Sequence, residues 1–119
     1  MTDIKRLQSG PRMSQIVIVR GIVYLSGQIP DCAGASITEQ TADVLQRIEA
    51  YLQSAGSSKE QLISANIWLT DTAHFAEFNA VWDAWLAPGQ APTRACVQAL
   101  LMKPGCDVEI AVTALVAAS

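Results

Sequence analysis

An arginine enters one apolar strand and a glutamate stands inside the next: Ala91-Pro92-Thr93-Arg94-Ala95-Cys96-Val97, then Asp107-Val108-Glu109-Ile110. Arg94 carries a planar fork of donors that matches a carboxylate bidentately. Glu109 is a carboxylate among valines and isoleucine, where a charge is costly without a task or a partner. A carboxylate clamp beside an acid/base is the outline of a small-molecule site. Each residue also has a plainer reading. Arg94 fits a strand-edge arginine in a structural salt bridge, and Glu109 fits a solvent-facing strand position, since Val108, Ile110 and Val112 alternate with it. Asp107 shares the face of Glu109 and reads as surface.

The other candidates are weaker singly. Cys96 alternates with Arg94 and points the same way, as a pocket thiol or as a buried inert one. Asn79 falls on the apolar stripe of a helix, so its amide must find a hydrogen-bond partner in the core or across an interface. Ser26-Gly27 is a small pair that can present backbone N–H groups. His74 is the one histidine and reads as a helix-end residue, with no second histidine for a metal. The sequence carries no phosphate-cradling glycine loop, Ser-His-Asp set or nucleotide fingerprint.

These residues need elements to hold them. Gln15 to Ser26 reads as a hairpin, two β-branched arms around Arg20-Gly21. Asp31 to Ser36 is a loop. Ile37 to Ala55 carries an apolar stripe at helical spacing, with Ser36 as N-cap, Glu39 three residues on, and Gly56 as the stop. Leu62 to Leu69 reads as a strand. Asp71 or Thr72 caps a second helix running to about Leu86, with Phe75, Phe78, Val81, Trp82, Trp85 and Leu86 as its buried stripe and Pro88-Gly89 ending it. The three tryptophans read as core. Thr93 to Leu101 and Cys106 to Val116 are strands separated by Lys103-Pro104-Gly105. A lone strand between two helices implies crossovers, so part of the sheet is parallel. Two helices cover one face of that sheet, and the other face needs a partner.

Composition points the same way. Half of the 119 residues are hydrophobic and only 16% are charged, more apolar content than one small domain hides well, which implies a homo-oligomer. The net charge is −3 and no Lys/Arg cluster is present, which argues against a nucleic-acid partner. The start Met1-Thr2-Asp3-Ile4-Lys5-Arg6 lacks the apolar centre of a signal peptide, no apolar run is long enough to span a membrane, and Cys32, Cys96 and Cys106 show no metal-ligand spacing. The expectation is a cytoplasmic protein with reduced thiols.

Taken together, Tyr24-Leu25-Ser26-Gly27-Gln28-Ile29-Pro30, Phe75-Ala76-Glu77-Phe78-Asn79-Ala80-Val81-Trp82, Pro92-Thr93-Arg94-Ala95-Cys96-Val97 and Val108-Glu109-Ile110 resemble the Rid (reactive intermediate deaminase) family, also known as the YjgF family, over nearly the whole chain. The resemblance implies one α+β domain over residues 1–119 with a chorismate-mutase-like fold: a mixed sheet of about six strands, two helices on one face, and a homotrimer with sites between subunits. It also implies a 2-iminobutanoate/2-iminopropanoate deaminase-like hydrolase that converts enamines and imines such as 2-aminoacrylate to 2-keto acids and ammonia. Neither cofactor nor metal is implied. Carried over, Arg94 clamps the substrate carboxylate, and the backbone N–H of Cys96 and the Ser26-Gly27 region line the pocket. Glu109 positions or activates water, and Asn79 lies near the pocket or interface. One departure stands out. The archetype has Gly-Pro-Tyr near its N-terminus, whereas Gly10-Pro11 is followed here by Arg12, either a second cation for a diacid or a solvent-facing residue. The competing readings are a non-catalytic trimer that binds 2-keto acids and, disfavoured by the acidic charge, a ribonuclease.

Overall fold

The computed structural model describes residues 3–117; Met1 and Thr2, where the segment read for a leader begins, lie outside the described residues, as do Ala118 and Ser119. Two β-branched arms, β2 (Ser14–Val19) and β3 (Ile22–Leu25), fold back on each other through Arg20 and Gly21. Both turn residues are left-handed, with φ of 52° and 77°, the pair a two-residue type I′ turn requires and the reason glycine takes the second position. A further strand, β1 (Lys5–Ser9), adds antiparallel to β2, placing Leu7 opposite Ile16. The sequence reading missed it because Lys5-Arg6-Leu7-Gln8-Ser9 is polar except for Leu7; an edge strand needs only that one anchor.

Helix α1 (Ile37–Ser54) begins where Ser36 Oγ accepts the Glu39 backbone N–H at 3.1 Å. It stops at Gly56, with the Ser57 N–H donating to Leu52 O and the Gly56 N–H to Gln53 O, a Schellman closure. Strand β4 (Leu62–Leu69) follows. Asp71 caps a 3₁₀ turn over Thr72–His74, and α2 (Phe75–Trp85) continues from it. Strands β5 (Thr93–Gln98) and β6 (Val108–Leu115) complete the chain. The sheet order is β1-β2-β3-β6-β4-β5. The crossover through α2 makes β4 and β5 parallel, while β6 pairs antiparallel with both β3 and β4.

Register parity decides which side chains face the helices. Ile16, Val23, Leu25, Ala65, Ile67, Leu69, Val108, Ile110, Val112 and Ala114 are buried there against Val44, Leu45, Ile48, Leu52, Phe78 and Trp82. The opposite face carries Val17, Val19, Ile22, Tyr24, Trp68, Ala111 and Val97. Tyr24 remains 44% and Val97 53% exposed. The molecule measures 46 × 37 × 20 Å, and its short dimension fits one sheet and one helix layer at about 10 Å each. It is therefore the chorismate-mutase-like α+β arrangement, a mixed six-stranded sheet with two helices on one face and the other face bare. No helix of the described residues is long and apolar enough to cross a membrane.

Several sequence expectations need correction. Trp68 is half-buried on the bare face rather than in the core, Trp85 is half-buried, and Phe75 remains 45% exposed. The fifth strand ends at Gln98 instead of Leu101, leaving Leu100 and Met102 on an exposed connection. Asp107 is no simple surface residue: it accepts from Thr70 Oγ1 at 2.7 Å and Gln40 Nε2 at 3.2 Å, and its N–H donates to Gln40 Oε1 at 2.8 Å. Gln40 is fully buried in α1, so this network ties the helix layer to the entrance of β6.

Candidate functional site

Arg94 lies on β5 opposite Ala65 of β4, which turns it toward the helices. Its guanidinium carbon is 5.7 Å from the Phe75 ring centroid, 5.9 Å from Phe78 and 5.8 Å from Trp82. Those aromatics come from successive turns of α2, spaced three and four residues apart, so one helix face holds the cation against three π-systems. The sequence reading took them only as core stripe. The signal was present, since an aromatic stripe opposite an arginine-bearing strand is a ready-made cation support. Arg94 forms no ion pair among the described residues, leaving its charge-assisted donors to a ligand. The structural salt bridge offered as its plainer reading is absent there.

Cys96 follows on the same side, half-buried. Burial pushes its thiol pKa up, with Arg94 opposing, so the sulfur stays neutral and its contribution is shape and a backbone N–H. Asn79 lies one turn from both Phe75 and Trp82, and its Oδ1 is buried without a hydrogen-bond partner. An orphaned buried amide oxygen calls for a ligand or a second chain to satisfy it.

Glu109 is elsewhere. It pairs with Trp68 in β4 while its neighbours Val108 and Ile110 are buried under the helices, so it sits on the bare face. A Cβ built on Gly27 would fall 2.1 Å from Glu109 Oε2; the carboxylate rests directly on that backbone. Gln28 holds the arrangement through paired backbone bonds to Ile110, N–H to O at 2.8 Å and O from N–H at 3.1 Å. Ser26 Oγ donates to Ser14 O at 2.6 Å, and its N–H donates to Gln15 O at 3.0 Å. These bonds seat Ser26-Gly27 beside the start of β2. Arg12 is exposed on the connection from β1 to β2. Burial alone raises the Glu109 pKa above the ordinary carboxylate range, the direction expected of a half-buried acid with no compensating cation. Glu109 has no hydrogen-bond or ion-pair partner among the described residues.

The structure thus divides the expected residues into two groups. Arg94, Cys96 and Asn79 share the helix side at the β5 edge. Ser26, Gly27 and Glu109 gather at the β2–β3–β6 side. Arg94 and Glu109 project from opposite faces, with β4 between their strands, a lateral offset of roughly 9–10 Å. Through β4, Arg94 is level with Val112 rather than Glu109, adding about 10 Å along the strand. One copy of the chain cannot bring them to one substrate. Among the described residues no group of three or more His, Cys, Asp or Glu is placed to hold a metal ion.

Comparison with known proteins gives a consistent picture. The sequence profile described as endoribonuclease L-PSP matches residues 4–116. The chain is similar to the RutC family protein YoaB of Escherichia coli, 42% identical over 113 residues covering 95% of this chain and 98% of that protein. Among solved structures, a YjgF-family member from Neisseria meningitidis superposes with a TM-score of 0.95 at 43% identity, covering 98% of each chain. A protein of the Rid family from Yersinia pestis, YyfA, gives a TM-score of 0.87 at 28% identity, over 98% of this chain and 100% of that one.

Proposed function

The chain belongs to the endoribonuclease L-PSP family, the family of the RutC and YjgF proteins, and from that premise we propose that it hydrolyses imines and enamines of 2-amino acids to 2-keto acids and ammonia. The observation carrying this reading is the pair of groups without an ion-pair partner on opposite faces: a guanidinium braced by three rings and a half-buried carboxylate whose pKa burial raises. Each is half of a site. A second copy placing its Glu109 against the first copy's Arg94 completes it, and a trimer closes such a heterologous contact into a ring. The bare apolar sheet face and the orphaned Asn79 oxygen support that assembly.

The chemistry then follows from the groups available. Arg94 pairs with the substrate carboxylate and fixes the C=N carbon relative to the opposite wall. Glu109 takes a proton from water as the oxygen bonds to that carbon, and the imine nitrogen gains a proton. In the resulting carbinolamine the hydroxyl proton passes through Glu109 to the amine nitrogen as the C–N bond breaks, releasing ammonia and leaving the 2-keto acid. An enamine first gains a proton on carbon to become the imine. A base of this kind works best with its pKa moved toward neutrality. A half-buried Glu109 without a hydrogen-bond or ion-pair partner among the described residues favours hydrolysis over the alternative of a keto-acid-binding module, which has no use for it. The net charge of −3 weighs against reading the ribonuclease name of the family literally, since RNA binding rests on phosphate neutralisation. Keto-acid release from enzymatically generated 2-aminoacrylate and 2-iminopropanoate tests the proposal: acceleration by wild type and its loss in Arg94→Ala are expected, and no acceleration by wild type refutes it.

A further inference from the structure

Beside Arg94 opens a cleft of about 270 Å³ lined by Leu69, Thr72, Phe75, Cys96, Val97 and Gln98. Neither Arg94 nor any other charged residue is in that wall. Phe75 joins the two features: its ring is 5.7 Å from the guanidinium and also lines the cleft. It is the one member of the aromatic trio that stays 45% exposed, where Phe78 is fully buried and Trp82 nearly so. We propose that this cleft receives the substrate's side chain, so that the protein selects imines bearing branched aliphatic or aromatic side chains over the smallest ones and over diacids. The inference rests on the deaminase reading for the reaction, and on the cleft alone for the preference.

The chemistry of the wall makes the selection. Leu69 and Phe75 are apolar, and the Cys96 thiol is kept neutral. Thr72 and Gln98 are joined by the Thr72 N–H donating to Gln98 Oε1 at 3.0 Å, which leaves that carbonyl oxygen occupied. A carboxylate or ammonium on the side chain would lose its hydration there with no counter-charge. Size argues in the same direction. Liquid water takes about 30 Å³ per molecule, so the cleft holds roughly nine waters. With the carboxylate anchored at Arg94, a methyl side chain leaves most of them in place, whereas an isobutyl or benzyl group displaces several more. Each methylene moved out of water contributes about a fourfold gain in affinity. The three additional carbons of a leucine-derived imine over an alanine-derived one therefore favour it by roughly 50-fold.

The test compares kcat/KM for 2-imino-4-methylpentanoate, 2-iminopropanoate and 2-iminosuccinate on wild type and on Thr72→Trp, which fills the cleft while leaving Arg94 and its three supporting rings unsubstituted. Binding of the corresponding 2-keto acids is measured by calorimetry in parallel. The expected result is a ten- to hundredfold preference for the branched substrate in wild type, reduced at least tenfold in Thr72→Trp. The ratio is read within each protein and is insensitive to the active fraction. Hydrolysis of all three with the small or diacid substrate preferred, or a preference unchanged by Thr72→Trp, overturns the cleft assignment and leaves the deaminase reading standing. No hydrolysis, with the branched keto acid binding more tightly than pyruvate, removes the deaminase and retains the cleft. Neither hydrolysis nor keto-acid binding overturns both.

Discussion

Replacing Gly27 with alanine displaces Glu109 without changing its side chain. The new Cβ would meet Oε2 at 2.1 Å, Cδ at 3.0 Å and Cγ at 3.3 Å, so the carboxylate must withdraw by roughly 1 Å or swing away. A displacement of that size at a reacting group costs about 10²-fold, within the 10²–10⁴-fold typical of a positioned acid/base. We expect kcat/KM to fall about 10²-fold, or about 2.7 kcal/mol of transition-state stabilisation. The fold should hardly notice. Gly27 is not in the left-handed region, so alanine is sterically allowed. The clash is with the end of a flexible side chain, and its off-rotamer cost of about 1 kcal/mol is offset by a comparable loss of unfolded-state entropy. The assay is keto-acid release from an enzymatically generated imine, with urea unfolding as the control for stability. Because both substitutions act through one carboxylate, Gly27→Ala added to Glu109→Gln should cost less than about threefold beyond Glu109→Gln alone. A wild-type rate in Gly27→Ala, or two fully multiplicative losses, refutes the placement of Glu109 in the chemistry.

Further outcomes follow from the same geometry. The acid limb of the kcat/KM profile should fall above the ordinary glutamate value of about 4.3, because burial favours the protonated form of Glu109 and the base is active only when ionised; Glu109→Gln should abolish that limb along with most of the rate. Gln40→Leu should destabilise the protein by about 2–3 kcal/mol in urea unfolding at fixed protein concentration, since it strips the partners of Ala35 O and the Asp107 N–H at a buried position. Arg94→Lys should recover little of the activity lost in Arg94→Ala, because an ammonium supplies charge without the planar fork that stacks on rings and grips a carboxylate.

Much of the fold was legible because the sequence signals are local. Ser36, Glu39 and Gly56 bracket α1 by their own hydrogen bonds, and Leu62–Leu69 is bounded as its apolar run indicates. β1 was not legible, since five largely polar residues become a strand only through pairing with β2. Arg94 and Glu109 were legible as chemical types, but their relation was not. Period-two alternation places each on a face of its own strand; only the insertion of β6 between β3 and β4 reveals that the faces are opposite. Phe75 shows the converse. Its spacing fits the buried stripe of α2, yet it lies where the helix has just emerged from a 3₁₀ turn, and it remains open beside Arg94.

The central claim is that each site takes Arg94 from one subunit and Glu109 from another. The most direct test mixes Arg94→Ala and Glu109→Gln proteins, each inactive alone, after dissociation and reassembly at equal concentration. In a ring with heterologous contacts, every mixed trimer contains one interface with both native residues, so about a quarter of wild-type activity should return. Continued inactivity of reassembled mixed trimers would contradict the shared site.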